Sequence, residues 1–180
     1  KYTDLIYHFD WCNDFSKARN FCAMQAPTDW IWFMDCDEYV LRADKKELQS
    51  FCAHPDNQTR IGTIQQRDTF TMSGSGEQTV ATTRLGRIYN KNHCRYSGAI
   101  HEQITPISSG TAVYHDLSVL LEHDGYLSPE LFQKKCLRNI ELMQESLRKE
   151  EDPYLYYQLG KAYSSVNRKK EAVEAFQKGL

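Results

Sequence analysis

Apolar and polar residues are arranged along the first 125 positions in a way that predicts a mixture of helices and strands. Between Asp14 and Pro27 the apolar residues recur with helical spacing and share one face: Phe15, Ala18, Phe21 and Cys22. Pro27 is expected to end this helix. The run from Trp30 to Met34 is short, unbroken and apolar, which is typical of a strand buried on both faces of a sheet.

A second helix is predicted after this strand. Asp44 is placed to cap it, Glu47 follows three residues later, and Pro55 lies beyond its end. Strand-like segments come next, around the turn SGSGE: IGTIQQ, DTFTM, QTVATTR, RIYN and SVLLEH. We therefore assign residues 1–125 to the α/β class.

The pattern changes after Gly125, where a long helix is predicted. Ser128 is its cap and Pro129 occupies the first helical position. Its apolar residues form one stripe: Phe132, Cys136, Ile140, Met143 and Leu147. We assign residues 126–151 to this connecting helix and expect its stripe to pack onto the α/β part.

Residues 152–180 carry the spacing of a tetratricopeptide repeat, in which aromatic, Leu-Gly, Tyr, Ala and aromatic positions follow one another: Tyr156, Leu159, Gly160, Tyr163, Ala172 and Phe176. Tyr156 stands where Trp is usual, and Gly179 stands where Ala is expected. An ordinary helical hairpin is the alternative. Because a single repeat cannot bury its apolar face, we expect the repeat to be incomplete at Leu180.

Composition narrows the functional classes. Of the 180 residues, 41% are hydrophobic and 12% aromatic, as expected of a packed core rather than a disordered segment. The net charge of −2 leaves no basic footprint for nucleic acid or a membrane surface. No apolar run approaches the roughly 20 residues of a membrane span. Six scattered cysteines without a C-x-x-C pair predict reduced thiols and a cytoplasmic protein.

Two carboxylates follow the apolar run directly, in the segment WIWFMDCDEYV. On an extended segment Asp35 and Asp37 would point to the same side, with Cys36 on the other. The carboxyl ends of strands are where open α/β sheets bind ligands. Convergent carboxylates repel one another unless a cation lies between them, and oxygen ligands suit Mg²⁺ or Mn²⁺. An exposed acidic turn is the alternative, because so short a motif is weak evidence alone.

Three segments together resemble the family-2 glycosyltransferases with a GT-A fold. DFSKARNFCAMQAPTDWIWFMDCDEYV resembles their core, in which a helix bearing A-R-N precedes a strand ending in D-x-D. RLGRIYNKNHCRYSGAIHEQI resembles a later segment of a bacterial subgroup, and LLEHDGY resembles the closing H-x-G-Y element of that subgroup, which tetratricopeptide repeats commonly follow. Residues 1–125 would then be the C-terminal portion of a GT-A domain.

The resemblance implies a metal site that holds the donor. Asp35 and Asp37 would bind Mn²⁺ or Mg²⁺ and the nucleotide-sugar, and His123 would be a third metal ligand. A solvated polar turn is the alternative for His123, since Glu122 and Asp124 flank it.

The resemblance also implies contacts with the nucleotide and the acceptor. Arg19 and Asn20 would lie near the nucleotide, and Glu102 would be the base on the acceptor side, with His101 beside it as a substrate contact. A salt-bridged strand end is the alternative for Glu102. The reaction would be transfer with inversion, in which one base removes the acceptor proton and a metal stabilises the leaving diphosphate. The acceptor is not determined by the sequence, although the repeat makes a peptide or protein conceivable.

The family begins with a βαβ half that carries further nucleotide contacts, whereas this chain begins at KYTDLIYHFDW, which resembles the strand before the A-R-N helix. We therefore expect a fragment that is truncated at both ends and does not transfer sugar by itself. Two other classes stay open: a tetratricopeptide-type interaction module, and a metal-dependent hydrolase that uses Asp35, Asp37 and His123. The hydrolase would lack the usual H-x-H or H-E-x-x-H spacing.

Overall fold

A computed structural model of the chain describes residues 4–71, 78–126 and 128–180. Within these ranges the helices are α1 (Phe15–Gln25), α2 (Lys45–Ala53), α3 (Pro129–Lys149), α4 (Pro153–Ser165) and α5 (Lys169–Lys178). The strands are β1 (Trp30–Trp32), β2 (Glu38–Arg42), β3 (Arg60–Thr71), β4 (Gln78–Asn90), β5 (Cys94–Ser97), β6 (Gln103–Pro106) and β7 (Val113–Tyr126).

Two sheets are present among the described residues. Five strands are hydrogen-bonded in the order β1-β4-β3-β7-β2, and β5 and β6 form a separate antiparallel pair. Strand β1 pairs antiparallel with β4, with Trp30 opposite Asn90. Strand β2 pairs antiparallel with β7, with Glu38 opposite His123. The predicted class is confirmed: this is a mixed α/β fold, consistent with a partial GT-A sheet, followed by a helical region.

The chain divides into two compact units. The first comprises residues 1–34, 45–63 and 86–117, and the second comprises residues 35–44, 64–85 and 118–180. One cluster in the core of the first unit consists of seven buried residues: Ala23, Ile31, Ile61, Tyr89, Cys94, Tyr96 and Ile104. In the second unit the most deeply buried side chains are Ile64, Val119, Leu121 and Met143.

Helix α1 begins where the sequence predicts. The Asp14 carboxylate accepts hydrogen bonds from the backbone N–H of Lys17 (2.9 Å) and the hydroxyl of Ser16 (2.8 Å), so it caps the helix. Burial tends to raise the pKa of this carboxyl, but the hydrogen bonds outweigh it, and the pKa lies below its ordinary value of 3.8. Ala26 is extended, as expected of a residue before proline.

The strands differ from the predicted ones in length and number. Strand β1 ends at Trp32, and only Ile31 within it is buried, so the expectation of a longer strand buried on both faces is wrong. The segments IGTIQQ and DTFTM form one strand, β3, and QTVATTR and RIYN form β4. Strands β2, β5 and β6 were not predicted, because they are only five, four and four residues long, and so short a segment shows little periodicity. The predicted turn SGSGE lies outside the described residues.

Helix α3 has the predicted cap, since Ser128 accepts a hydrogen bond from the backbone N–H of Leu131. Its apolar stripe is fully buried only in the middle, at Ile140 and Met143, whose exposed fractions are 2% and 0%. The other three stripe residues are half-buried: Phe132, Cys136 and Leu147. The stripe therefore stabilises the second unit mainly around Met143.

Helices α4 and α5 form a hairpin over the segment with repeat spacing. Asp152 caps α4 by accepting from the backbone N–H groups of Tyr154 and Leu155. A Cβ atom on Gly160 would lie 2.6 Å from the ring of Phe176, so this position has no room for a side chain. The Gln144 amide of α3 donates to the Tyr163 hydroxyl at 2.7 Å, which joins α3 to the hairpin. The predicted helical region is thus confirmed.

Two further observations concern membrane-spanning helices and the state of the cysteines. Among the described residues, no helix combines the length and apolar character needed to cross a bilayer. All six cysteines are free thiols, and Cys94 is the buried one.

Candidate active site

The D-x-D segment forms a turn in the second compact unit. The backbone N–H of Glu38 donates to the Asp35 carbonyl at 3.1 Å, and the backbone N–H of Asp35 donates to the Glu38 carboxylate at 2.8 Å. These reciprocal bonds bend the chain so that residues 36 and 37 form the turn that leads into β2. The expectation of an extended segment is therefore wrong, and the position of each carboxylate follows from the turn.

The Asp37 carboxylate contacts two basic side chains, one from a histidine and one from a lysine. Its Oδ2 lies 3.3 Å from Nε2 of His123 and 3.3 Å from Nζ of Lys135 on α3. Pairing of β2 with β7 makes these contacts possible, because it sets Glu38 opposite His123 and lets the N–H of Asp124 donate to the Asp37 carbonyl. Burial tends to raise the pKa of the Asp37 carboxyl, but His123 and Lys135 outweigh it, and the pKa is lowered.

His123 is held from its other side by a buried aspartate. Its Nδ1 lies 2.6 Å from Oδ1 of Asp68 on β3, and Oδ1 also accepts from the Gln66 amide at 2.9 Å. The Asp68 hydrogen bond raises the pKa of His123, and with the Asp37 charge it outweighs the opposing effect of burial. The imidazole thus bridges two carboxylates, one buried and one partly exposed.

The donor set fits a divalent cation in part. Among the described residues, no group of three or more His, Cys, Asp or Glu side chains is arranged to hold a metal ion. Asp37 and His123 supply one carboxylate and one imidazole, and a ligand His commonly gives its second ring nitrogen to a carboxylate, as His123 does to Asp68. Asp37 and His123 are therefore the residues that could hold the ion.

A second polar cluster lies in the first compact unit, around Arg19 of α1. The Arg19 Nε donates to the Glu102 carboxylate at 2.5 Å, and 13% and 11% of the two side chains are exposed. The guanidinium also stacks over the rings of Phe33 and Tyr96, at 4.4 and 5.3 Å from their centroids. Arg19 is therefore fixed by an ion pair and two aromatic faces.

Asn20 ties the same helix to strand β5. Its amide nitrogen donates to the Tyr96 carbonyl at 2.9 Å, and its amide oxygen accepts from the Tyr96 N–H at 2.9 Å. The side chain thus bonds Tyr96 as a neighbouring strand would.

The loop between β5 and β6 carries Glu102. His101 has φ of +51°, a left-handed conformation that is uncommon for a residue other than glycine, and Gly98 has φ of +96°. The first N–H of α1, from Phe15, donates to the Ala99 carbonyl at 2.8 Å. Such unusual backbone conformations persist where the surroundings fix them, and they cluster at functional sites.

Sequence comparison decides the family. The family described as Glycosyl transferase family 2 matches residues 5–115, which is more than half of the chain. The chain belongs to this family.

Curated relatives agree with this membership. The chain is 24% identical over 177 residues to the SPbeta prophage-derived glycosyltransferase SunS of Bacillus subtilis and, to the same extent, to glycosyltransferase SunS of Bacillus phage SPbeta. These alignments cover 97% of this chain and 41% of each relative, so the chain spans about two fifths of their length. It is also 31% identical over 100 residues to a TPR repeat-containing protein of Synechococcus elongatus, covering 55% of this chain and 23% of that protein.

In this member of glycosyl transferase family 2, the structure brings together some of the predicted site residues. Asp37 and His123 are in contact in the second unit, and Arg19 and Glu102 are in contact in the first. Asp35 has its backbone in the turn beside Asp37. Asn20 and His101 belong to the structure around the Arg19 cluster, as described above. The roles predicted for all seven stay predictions.

Two residues in contact with His123 or Asp37 were missed by the sequence analysis. Asp68 lies in QQRDTF, where five polar residues follow one another before Phe70. Gln66 and Asp68 are two apart and therefore share one face of a strand, which was the available signal. Lys135 lies on α3, and nothing in the sequence around it indicates which residue it contacts. Its contact with Asp37 depends on tertiary structure alone.

Proposed function

We propose that this chain is part of an enzyme that transfers a sugar from a nucleotide-sugar donor to an acceptor, with inversion and with Mn²⁺ or Mg²⁺. The supporting observation is the contact of Asp37 with His123 at 3.3 Å, in a chain that belongs to glycosyl transferase family 2. Family membership favours transfer over the hydrolase alternative, which uses the same side chains.

The donor side of the proposal rests on Asp37 and His123, with Asp35 beside them. When bound, the cation would supply positive charge that stabilises the leaving diphosphate. Lys135 offers a second positive charge at the same carboxylate oxygen, and a lysine ammonium suits a phosphate as a point charge. The chain itself therefore provides side chains for both the divalent cation and the diphosphate.

On the acceptor side, Glu102 is the proposed base, with His101 and Arg19 around it. Glu102 is already engaged by the Arg19 guanidinium, so that ion pair has to open, or to share the carboxylate, before it accepts the acceptor proton. Inversion requires only one such base, because the acceptor oxygen displaces the diphosphate directly. Arg19 and Asn20 support this proposal by their position on the helix that faces Glu102 and β5, and nucleotide contact is proposed for them.

The acceptor and the cellular location are further proposals. The helical hairpin and the relative with TPR repeats support a peptide or protein acceptor, because such hairpins form peptide-binding surfaces when stacked. Free thiols at all six cysteines support a cytoplasmic location.

We also propose that these 180 residues do not transfer sugar by themselves. The described residues offer two contacting candidate ligands rather than three, and catalytic groups that act as a unit lose nearly all of their effect when one is absent. Release of free diphosphate from sugar nucleotides would be compared between the 180 residues and the full-length protein. Equal turnover would contradict this part of the proposal.

The metal proposal is tested by calorimetry on the full-length protein with Mn²⁺ and UDP or GDP. The Asp37→Asn variant should lose most of the metal-dependent nucleotide affinity, because an amide keeps the shape of the side chain but removes the charge that offsets the cation. Asp29→Asn, which changes an exposed aspartate in the loop before β1, is the matched control and should bind as the wild type does. Unchanged affinity in Asp37→Asn would contradict the assignment.

A further inference from the structure

Asp68 is a buried carboxylate that no predicted site includes. Only 7% of the residue is exposed, and its side chain lies on β3 behind His123. A buried ionisable group is costly unless it is paired and hydrogen-bonded, and the partners of Asp68 are Gln66 and His123. We propose that Asp68 is a positioning residue, which holds the His123 ring so that Nε2 faces Asp37 and can bind a divalent cation. This inference rests on the proposed metal-dependent function.

The first support is that Asp68 is itself fixed. Its Oδ1 accepts from the Gln66 amide at 2.9 Å, and Gln66, two residues away on the same strand, lies on the same face. The same oxygen lies 2.6 Å from Nδ1 of His123. Because the Gln66 amide holds Oδ1 of Asp68 in place, this oxygen cannot move with the imidazole. The hydrogen bond to Nδ1 therefore fixes the orientation of the His123 ring.

The second support is the chemistry of the ring nitrogens. A carboxylate only accepts hydrogen bonds, so Nδ1 has to carry the hydrogen in this contact. In the metal-free protein both ring nitrogens face a carboxylate, but the Asp68 contact at 2.6 Å is shorter than the Asp37 contact at 3.3 Å. The neutral ring therefore keeps its hydrogen on Nδ1, and the lone pair is on Nε2. Without Asp68, the ring could adopt the other tautomer and direct an N–H at Asp37 instead.

The third support is the difference in exposure along this row of side chains. The side chains of Asp68 and His123 are 10% and 9% exposed, whereas that of Asp37 is 36% exposed. The arrangement thus has a buried end, which fixes the ring, and an accessible end, which a cation can reach. A carboxylate behind a ligand histidine commonly orients it and raises its affinity for metal.

The test is Asp68→Asn in the full-length protein. The amide can donate to Nδ1, which would move the ring hydrogen to Nε2 and aim it at Asp37. We expect Mn²⁺ affinity, measured by calorimetry with Mn²⁺ alone, to fall by about 10- to 100-fold. We also expect the ¹⁵N chemical shifts of His123 in the metal-free protein, at alkaline pH, to change from the Nδ1–H to the Nε2–H tautomer. A role in stability alone would not alter the tautomer.

Two further variants keep the test decisive. Asp116→Asn is the matched control, since Asp116 on β7 accepts from the Thr63 hydroxyl of β3 at 2.5 Å and belongs to the first compact unit, whereas His123 belongs to the second; its Mn²⁺ affinity should be unchanged. If Asp68→Asn does not fold, Gln66→Leu, which removes the bond that fixes Asp68, should give a smaller loss of affinity.

The outcomes separate this inference from the proposed function. If Asp37→Asn loses Mn²⁺ while a folded Asp68→Asn keeps both its affinity and its tautomer, the inference is overturned and the metal proposal stands. If the wild type binds no Mn²⁺, the metal proposal fails, and the inference, which rests on it, is overturned with it.

Discussion

Arg19 and Glu102, which are 83 residues apart in the sequence, form an ion pair whose nitrogen and oxygen lie 2.5 Å apart and whose side chains are almost entirely buried. The guanidinium lies at the same time over the Phe33 ring at 4.4 Å. The predicted base of the reaction and the arginine of the A-R-N helix are thus one structural unit, and neither can be changed without affecting the other.

A double-mutant cycle should show this dependence. Arg19→Met leaves the buried Glu102 carboxylate without a counter-charge, and we expect it to lower the free energy of unfolding by about 3–5 kcal/mol. The double variant Arg19→Met/Glu102→Gln should lose less, because no uncompensated charge remains. Urea unfolding followed by circular dichroism measures all four proteins.

The exposed ion pair between Arg168 and Glu171 is the matched control for this cycle. Its removal should leave stability almost unchanged, because exposed pairs are screened by solvent. Additive effects of Arg19→Met and Glu102→Gln would contradict a coupled buried pair.

The buried part of the α3 stripe should dominate the stability of the helical region. Met143 is fully buried, so Met143→Ala should cost about 2–5 kcal/mol through lost contacts and a cavity. Leu137→Ala, on the same helix but 43% exposed, should cost far less. Thermal unfolding of both variants tests the difference, and equal melting temperatures would show that Met143 is not part of the core.

The small residue of the repeat spacing should be sensitive to one added carbon. Gly160→Ala places a Cβ 2.6 Å from the Phe176 ring, and we expect a loss of about 1–3 kcal/mol. For a chain of this size that corresponds to roughly 2–4 °C in melting temperature per kcal/mol. Adding Phe176→Leu should restore part of the loss, whereas Ser164→Ala on the exposed face should change nothing. No rescue by the second change would argue against this contact.

The Asp14 cap of α1 should contribute to the free energy of unfolding by an amount that depends on pH. Asp14→Ala should cost about 0.5–2 kcal/mol at pH 7, because the Lys17 N–H loses its acceptor. The folded-state pKa of Asp14 is lowered, so its charge-dependent contribution is present above 3.8 and is lost as the pH falls through the folded value. Asp14→Asn retains an acceptor, and its stability difference from wild type should therefore disappear at acid pH. A difference that grows as the pH falls would contradict this sign.

Helix positions were the most predictable part of the fold. The caps at Asp14 and Ser128 and the apolar spacing of α1 and α3 act within one or two turns, so local sequence determines them. The lengths of β3 and β4 were not predictable to the same degree, because strands are stabilised by pairing with residues far away in the sequence.

The site was predictable in part for the same reason. Asp37 and His123 were found from short motifs, and the structure sets them in contact. Asp68 and Lys135 could not be assigned, since one is a lone polar residue within a strand and the other one of many lysines on a helix. Their contacts with His123 and Asp37 join residues that are far apart in the sequence, on β3, β7 and α3. Short motifs therefore identified Asp37 and His123 but not Asp68 and Lys135, which contact them.

The pair of hydrogen bonds between Asn20 and Tyr96 has a consequence for the association of folded molecules with one another. Strand β5 belongs to a sheet of only two strands, so the side of it that does not face β6 presents backbone groups to which a strand of another molecule could add. The Asn20 amide occupies the N–H and the carbonyl of Tyr96. A helix side chain thus blocks a point where fibrous self-association could begin, and shortening Asn20 to alanine would leave that point open.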